Sequence, residues 1–422
     1  MPPLLVWLIQ LMVILVAARV VGWLFQLIRQ PRVVGEMAAG ILLGPSLLGW
    51  LAPGFAQGVL GVELLGGLNL LSQLGLLLFM FLVGLEIQPD QLRKKGQAAL
   101  AISFSSIVVP FTLGCALAVA LYPQLAEARV PLLHFALFIG TALSITAFPV
   151  LARILSERRM LQTSVGALAI ACAAVDDITA WCLLAGVVLL VNTAAAGLPV
   201  WLMLTGSLGY VAAMLFGGRW LASRLLATAR AGALNQGHLA GILLTVIGSA
   251  AFTEWLGIHA LFGAFLAGAI MPKDHAFIAQ VRAKLEDLTV VFLLPLFFAS
   301  IGLRTDIGLF GGGLIWLYGG LLLGVAVVGK LGSAALAARI SGLGWRDSLA
   351  IGALMNTRGL MELVVASVGL EIGVITPTVF SLLVIMALAT TCMTAPLLDL
   401  FKITPQPRTA LEREADLAGD TA

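Results

Sequence analysis

The segment Ala171-Cys172-Ala173-Ala174-Val175-Asp176-Asp177-Ile178-Thr179-Ala180-Trp181 places two adjacent carboxylates in the middle of an apolar run. A charged residue at the centre of a bilayer costs about 3 kcal/mol even on a lenient insertion scale. Neither Pro nor Gly occurs between Ala167 and Ala185, so we place the pair within a helix rather than at its end. Adjacent helical residues point about 100° apart, so one aspartate can face a cavity while the other meets a neighbouring helix. The pair therefore predicts a buried site for a positive ion.

Composition puts this site in a membrane protein. The chain has 422 residues, of which 60% are hydrophobic and only 11% are charged, and its mean hydropathy is +1.07. Soluble proteins carry about a quarter charged residues. Period-two alternation is absent and the 46 glycines suit closely packed transmembrane helices, so we expect an all-α polytopic membrane protein.

Apolar stretches long enough to cross a bilayer, about 20 residues each, recur along almost the whole chain. We predict thirteen transmembrane helices near 4–28, 33–52, 67–87, 98–122, 132–155, 161–194, 198–218, 236–256, 258–272, 286–303, 312–338, 348–370 and 376–401. Connections on one side of this arrangement hold nearly all of the loop Lys and Arg residues, whereas those on the other side hold only Arg129 and Arg304. The positive-inside rule then predicts an N-terminus outside and a C-terminus inside.

Internal similarity predicts inverted-topology repeats. Gly84-Leu85-Glu86, followed by Asp90, ends the third segment, and Gly302-Leu303-Arg304, followed by Asp306, ends the tenth. A shift of seven helices places the second copy upside down, an arrangement typical of secondary transporters. We therefore expect a membrane domain over 1–402, with repeat one at 4–194, a linker helix at 198–218 and repeat two at 236–401. The polar remainder, 403–422, is expected to be a disordered cytoplasmic tail.

Two further segments carry polar groups at mid-depth. Lys330, in the eleventh segment, is about eight residues from the inner helix end, too far to snorkel easily, so we expect a carboxylate partner. In the fifth segment Pro149 removes a backbone donor. The helix is expected to open near Ser144 and Thr146, where freed carbonyls and hydroxyls can bind a hard cation; a simple proline kink is the alternative.

The twelfth segment is the predicted inverted mate of the fifth. It contains Met355-Asn356-Thr357-Arg358-Gly359-Leu360-Met361-Glu362, in which Asn356 and Gly359 suit an interrupted helix. Arg358 and Glu362 are four residues apart and can pair on one face. Such a pair can neutralise the dipoles of a broken helix or contact the ion directly, and we assign Pro149, Asn356, Arg358 and Glu362 a structural role at the two breaks.

These motifs together resemble the monovalent cation:proton antiporter-2 family. The resemblance rests on the stretch from Thr141 to Ala152, on Val175-Asp176-Asp177, on Ala264-Phe265-Leu266-Ala267-Gly268 and on Asn356-Thr357-Arg358-Gly359-Leu360, and it extends over about 1–402. The second and fourth of these segments also resemble the plant cation/proton exchanger branch. Glutathione-gated potassium members of the family carry Gln-Asp here and a soluble nucleotide-binding tail. This chain has Asp-Asp, and we expect no attached nucleotide-binding regulatory domain.

The resemblance implies a thirteen-helix fold with a dimerisation domain and a mobile core domain, in which the unwound helices five and twelve cross beside the aspartate helix. It also implies that Asp177 is the main ion carboxylate and that Asp176 is the partner of Lys330. Thr146 and Ser144 are expected near the ion. The expected ion ligands are thus Asp177 and Asp176, with Na⁺ as the metal ion, and a homodimer is implied.

The predicted function is secondary active exchange of a monovalent cation, Na⁺ by preference, for protons. Cation and proton compete for Asp177 and Asp176, and exchange is electrogenic if Lys330 also releases a proton. K⁺/H⁺ exchange is the nearest alternative, and a cation channel, which would conduct without moving protons, is a more distant one. An intramembrane aspartyl protease needs aspartates on separate helices, so we predict no enzyme activity.

The predicted setting is a multi-pass protein of the cell membrane. We expect no cofactor beyond the transported Na⁺ or K⁺ and H⁺, the lipid bilayer as the surroundings, and no nucleic-acid partner.

Overall fold

The computed structural model describes residues 3–28, 30–52, 54, 65–86, 96–158, 160, 163–196, 200–226, 234–256 and 259–401. Within those ranges every regular element is helical. In the part of the chain that the structure describes, ten helices, or runs of joined helices, are long and apolar enough to cross a membrane, and two shorter apolar helices span Leu132–Ser144 and Ala260–Ala269. The predicted all-α polytopic architecture is confirmed, whereas the count of thirteen, the inverted repeats and the orientation in the membrane stay predictions.

The helices follow the predicted apolar segments closely. In the first half they are α1 (Pro3–Leu27), α2 (Arg32–Leu43), α3 (Leu48–Leu51), α4 (Leu65–Glu86), α5 (Gly96–Leu125), α6 (Leu132–Ser144), α7 (Phe148–Glu157), α8 (Ser164–Ala196), α9 (Val200–Ala213) and α10 (Arg219–Leu225). In the second half they are α11 (Gln236–Trp255), α12 (Ala260–Ala269), α13 (His275–Asp287), α14 (Leu294–Arg304), α15 (Gly313–Val327), α16 (Ser333–Ile340), α17 (Trp345–Met355), α18 (Leu360–Glu371) and α19 (Pro377–Leu400).

Three pairs of consecutive helices are joined by a π-helical turn. These turns join α9 to α10, α13 to α14 and α15 to α16, at Met214–Gly218, Leu288–Leu293 and Val328–Gly332 respectively. A π-turn widens a helix locally and often marks a functional position. The third of them contains Lys330.

The helices pack as two sets. The first set comprises α1, α2, α4 and α11–α14, and the second comprises α5–α8 and α15–α19; α2 also contacts α19, and α9 contacts α8. Each set takes helices from both predicted repeats. The boundaries of the repeats themselves stay a prediction, and the predicted tail, 403–422, lies outside the described residues.

Glycines allow the first set to pack closely. Gly84 of α4 and Gly268 of α12 lie backbone to backbone: a Cβ added at Gly84 would collide with the Phe265 carbonyl, and one added at Gly268 with the Phe81 carbonyl. Lys273 Nζ donates to the Gly84 and Gly268 carbonyl oxygens at 3.0 and 3.2 Å. Small residues therefore let α4 and α12 approach closely near their C-terminal ends.

Two helices of the second set are broken, and the breaks meet. The chain is extended over residues 145–147, between α6 and α7, and it leaves helical geometry again over residues 356–359, between α17 and α18. The Ala147 amide donates to the Thr357 carbonyl oxygen at 3.0 Å, which joins the two breaks directly. The predicted interruptions are confirmed, and a simple proline kink in the fifth segment is excluded.

Pro149 acts differently from the sequence expectation. We expected Pro149 to open the helix, but α7 begins at Phe148 and contains Pro149 in its first turn. The first helical turn tolerates proline, because its missing N–H has no intrahelical partner there. Pro149 therefore begins the second half-helix rather than ending the first; its side chain lies outside the described residues.

Candidate functional site

The two aspartates lie in the interior of α8, as predicted, and not at a helix end. Asp176 is 0% exposed and Asp177 is 2% exposed. Both are therefore withdrawn from water, where an ionised carboxylate is unfavourable unless it is paired or binds an ion. The two side chains nevertheless have very different surroundings.

Asp176 is surrounded by donors. Its Oδ2 accepts from Thr146 Oγ1 at 2.7 Å and from Ser106 Oγ at 3.1 Å, and Lys330 Nζ lies 3.2 Å away. Ser103 Oγ donates to its Oδ1. Charge-assisted hydrogen bonds of this kind stabilise an ionised carboxylate, so Asp176 is held by the protein itself.

Lys330 is equally well satisfied. Besides Asp176, its Nζ donates to the carbonyl oxygens of Ser106, at 3.1 Å, and Ser144. An ammonium has three donors, and the described contacts supply three acceptors. The expected carboxylate partner is confirmed, and snorkelling to the interface is excluded because the side chain is fully buried.

Asp177 has open acceptor positions. Within the described part of the chain neither of its carboxylate oxygens accepts a hydrogen bond in good geometry, although both are buried. The Phe148 amide, at the start of α7, lies close enough to interact with it, as do the charges of Asp176 and Lys330. A helix N-terminus favours negative charge nearby. Asp177 is thus the aspartate of the pair whose lone pairs remain available to a cation or a proton.

Two polar residues at the first break, Ser144 at the end of α6 and Thr146 within the break, do not direct their hydroxyl groups to Asp177. Thr146 directs its hydroxyl to Asp176 or to the Met355 carbonyl oxygen, and not to Asp177. The Ser144 hydroxyl donates to the Thr141 carbonyl oxygen within α6, at 2.8 Å, and only its own carbonyl faces Lys330. Both residues lie beside the aspartates, but their hydroxyl groups are already engaged.

Arg358 and Glu362 form the predicted pair, with Nη1 2.9 Å from Oε2 and both side chains fully buried. The guanidinium also donates to the carbonyl oxygens of Ala142, at 2.8 Å, and Leu143. Lys330 donates to the next carbonyl oxygen, that of Ser144. Two buried cations, Arg358 and Lys330, thus cap the last carbonyls of α6. Cations stabilise the negative end of a helix, and the structural role assigned to these residues from the sequence stays a prediction.

Asn356 lies at the C-terminal end of α17 and is fully buried. Neither its Oδ1 nor its Nδ2 contacts a hydrogen-bond partner among the described residues. Buried amides are normally hydrogen-bonded, so the Asn356 side chain has a donor and an acceptor available beside the break.

The sequence analysis did not identify Ser103 and Ser106 of α5. Hydroxyl residues on an apolar helix usually bond to their own preceding carbonyls, so neither residue stands out. Their presence beside Asp176 follows only from the packing of α5 against α8.

Comparison with known proteins identifies the chain. The profile of the transmembrane sodium/hydrogen exchanger family matches residues 14–400. The chain is also 43% identical, over 96% of its length and 98% of the relative's, to the Na⁺/H⁺ antiporter NhaS4 of Synechocystis sp.. The chain belongs to the sodium/hydrogen exchanger family. It is therefore a multi-pass membrane transporter and a cation/proton antiporter, not an enzyme, and the resemblance to monovalent cation:proton antiporters is confirmed.

Other relatives of this antiporter span the plant and fungal kingdoms. Identity is 39% over 92% of this chain to the cation/H⁺ antiporter 17 of Arabidopsis thaliana, and 35% over 94% to the K⁺/H⁺ antiporter 1 of Saccharomyces cerevisiae. The chain spans about half the length of these two relatives, 47% and 46% respectively. Among solved structures, the sodium proton antiporter MjNhaP1 from Methanocaldococcus jannaschii superposes with a TM-score of 0.69 at 14% identity, covering 96% of this chain and 100% of that one. That likeness concerns the fold alone.

Proposed function

We propose that this antiporter exchanges Na⁺ for protons at Asp177, with Asp176 and Lys330 as the adjoining ion pair. The observation that carries the proposal is the contrast between two neighbouring buried carboxylates. Four donors lie within hydrogen-bond distance of Asp176, whereas neither oxygen of the buried Asp177 accepts a hydrogen bond in good geometry among the described residues, with only the Phe148 amide nearby. A buried carboxylate in that state requires a cation or a proton.

The charges of the site support exchange of one for the other. Asp176, Asp177 and Glu362 are acidic, while Lys330 and Arg358 are basic, and all five are buried. With every group ionised the site carries one net negative charge. One monovalent cation neutralises it, and one proton on Asp177 does the same, so the two occupants exclude each other.

The two helix sets provide a mechanism for alternating access. The site is built entirely within the second set, from α5, α8, the breaks flanked by α6–α7 and α17–α18, and the π-turn between α15 and α16. Movement of this set against the first set would carry the occupied site from one face of the membrane to the other. We expect a homodimer in the cell membrane, with the first set as the stationary part.

Our choice of Na⁺ over K⁺ does not rest on the geometry of the site. Carboxylate and carbonyl oxygens bind either ion, and the relatives are described as exchanging Na⁺ in one case and K⁺ in another. K⁺ is therefore the alternative transported cation. Transport is electrogenic if Lys330 loses its proton when Asp176 turns to the ion, because two protons then exchange for one cation.

The test is Asp177→Asn in proteoliposomes, with Asp287→Asn as a matched control at an exposed helix end. We expect cation-driven proton flux to disappear in the first variant and to persist in the second. In the purified wild type, apparent Na⁺ affinity should fall by up to about tenfold per pH unit in acid, since the ligand must be deprotonated. Flux that survives Asp177→Asn would refute the assignment, and repeating the assay with K⁺ and Li⁺ fixes the cation.

A further inference from the structure

A cavity of about 310 Å³ lies between the two helix sets at the end of the molecule where α4 begins and α18 ends. The distribution of basic residues predicts this end to be the outer face. Along α18 the cavity extends from Glu371 inward to Val364, two residues from the buried Glu362. It therefore lies between the solvent and the broken helices.

Glu371, on the second set, crosses this cavity to two basic side chains of the first set. Its Oε1 is 3.6 Å from Arg304 Nη1, at the end of α14, and its Oε2 is 3.7 Å from His259 Nε2, at the start of α12. Glu371 thus forms two ion pairs between the sets, whereas six further ion pairs among the described residues join partners within one set or within one loop.

The first-set side of this contact is fixed in place. Arg304 Nη2 donates to Asn69 Oδ1 of α4 at 3.1 Å, and Ser300 Oγ donates to the same oxygen at 2.9 Å. The His259 side chain accepts from the Leu261 amide through Nδ1, at 3.4 Å. Glu371 therefore contacts two side chains that are already held by hydrogen bonds within the first set. Separation of the sets must break its contacts with Arg304 and His259.

We propose that Glu371, Arg304 and His259 form a pH-dependent latch that holds α18 against α12 and α14 at the predicted outer face. The three side chains are 37%, 31% and 22% exposed, so bulk protons reach them and the contacts are weak enough to break in each cycle. Histidine is the residue type whose charge ordinarily changes between about pH 5 and 8. Protonation of His259 adds a second cation facing Glu371 and closes the latch more firmly.

The charged groups around His259, and the helix set to which each belongs, decide whether acid closes or opens the latch. Among the described residues that line the cavity, Glu371 and Glu254 are acidic and Arg304 is basic, while α4 contributes the uncharged Asn69 and Gln73. Protonation also removes the long hydrogen bond that Nδ1 accepts at the start of α12. Glu254 and Arg304 belong to the first set, like His259, and the Nδ1 contact lies within the start of α12, so these interactions persist when the sets separate. Glu371 is the cavity-lining charge on the second set, and its attraction to a protonated His259 is lost on separation, so acid favours the closed latch.

The latch rests on the proposed function, because it acts through movement of one helix set against the other. The test compares wild type with His259→Gln and Glu371→Gln, and uses His134→Gln as the control, since His134 does not line the cavity. Cation-driven proton flux is measured in proteoliposomes while the pH on the outer side is varied. At about pH 5.5 we expect His259→Gln to be about threefold to fivefold faster than wild type, and at about pH 8 the two should be equal. Glu371→Gln should abolish this difference, and His134→Gln should behave as wild type.

A second measurement does not depend on transport. Ser367→Cys, which lines the cavity, is introduced into a background without the four native cysteines and labelled with a membrane-impermeant maleimide. Acid slows the thiol reaction itself in every variant. The quantity compared at each pH is therefore the labelling rate with His259→Gln divided by the rate without it. A ratio that rises about threefold or more on acidification supports the latch, even in a protein whose flux assay fails. A ratio that is constant from about pH 5.5 to 8 overturns it, whatever the transport activity.

Discussion

Lys330 and Asp176 form a fully buried ion pair, with Nζ 3.2 Å from Oδ2, directly beside a second aspartate that has no such partner. The pair joins the π-turn after α15 to the middle of α8. Removal of one member of a buried pair leaves an uncompensated charge, whereas removal of both members can be nearly neutral. Stability and transport can therefore be separated at this position.

The first prediction concerns stability. Lys330→Gln should destabilise the protein by about 3–5 kcal/mol, because Asp176 then remains buried without its cation. Asp176→Asn/Lys330→Gln should recover most of that loss, since neither buried charge is left alone. Melting temperatures measured in detergent rank the wild type and the two variants by stability.

Arg129→Gln is the control for this series, because Arg129 pairs with Glu127 in an exposed loop and should change stability by less than about 1 kcal/mol. If the double variant were as unstable as Lys330→Gln, the two residues would not act as a pair.

The second prediction concerns charge movement. Wild-type exchange should be voltage-sensitive if Lys330 supplies the second proton, with about 2.3 kcal/mol per net charge per 100 mV. Lys330→Gln should exchange one proton per cation and lose that sensitivity. Solid-supported-membrane electrophysiology across pH reports both quantities, and unchanged voltage dependence would remove Lys330 from the proton count.

The third prediction concerns the two serines of α5. Ser103→Ala and Ser106→Ala each remove a donor to Asp176, which leaves Lys330 and Thr146 to hold it. These hydrogen bonds stabilise the ionised form of Asp176, whose negative charge attracts the cation at Asp177, and each contributes about 1.5–3 kcal/mol. We therefore expect the double variant to bind the cation about tenfold or more weakly. Thr112→Ala is the matched control, because its exposed hydroxyl bonds only to carbonyls of its own helix. Equal affinities in all of these variants would show that Asp176 needs no serine.

The sequence alone predicts the parts of this site that depend on local pattern. Asp176 and Asp177 stand out because carboxylates are rare in apolar helices, and Arg358 and Glu362 pair because residues four apart share a helix face. The break at Asn356–Gly359 follows similarly from residues that suit an interrupted helix.

Long-range contacts are a different matter. Ser103 and Ser106 carry no signal in the sequence, and nothing local brings Glu371 to Arg304 or His259. Thr146 was expected near the ion, but nothing in the sequence says which aspartate its hydroxyl contacts; it lies 2.7 Å from Asp176, because side-chain direction at a helix break is set by the partner helix. Pairing across elements depends on how helices pack, and helix packing is not encoded in any one segment.

The fourth prediction concerns the cation that caps α6. Arg358→Lys keeps the charge but loses the planar fork that reaches Glu362 and the Ala142 and Leu143 carbonyl oxygens together. We expect cation-driven flux to fall by about tenfold or more, since the loss of even one charged hydrogen bond is about 1.5–3 kcal/mol. Arg282→Lys, at an exposed pair with Glu286, should keep its flux. Normal flux in Arg358→Lys would mean that charge alone stabilises the break.

The last prediction tests the close approach of α4 and α12. Gly84→Ala places a methyl group against the Phe265 carbonyl, and backbone cannot move aside as a flexible side chain can. Overpacking of this kind typically destabilises by about 1–3 kcal/mol, so the melting temperature should fall. Gly241→Ala on α11 meets nothing within 4 Å, and in a helix interior the change from Gly to Ala should stabilise by about 0.5–1 kcal/mol. Opposite shifts of the two melting temperatures support the packing described here; a fall of similar size in both variants would assign the effect to glycine as such and not to the contact between these helices.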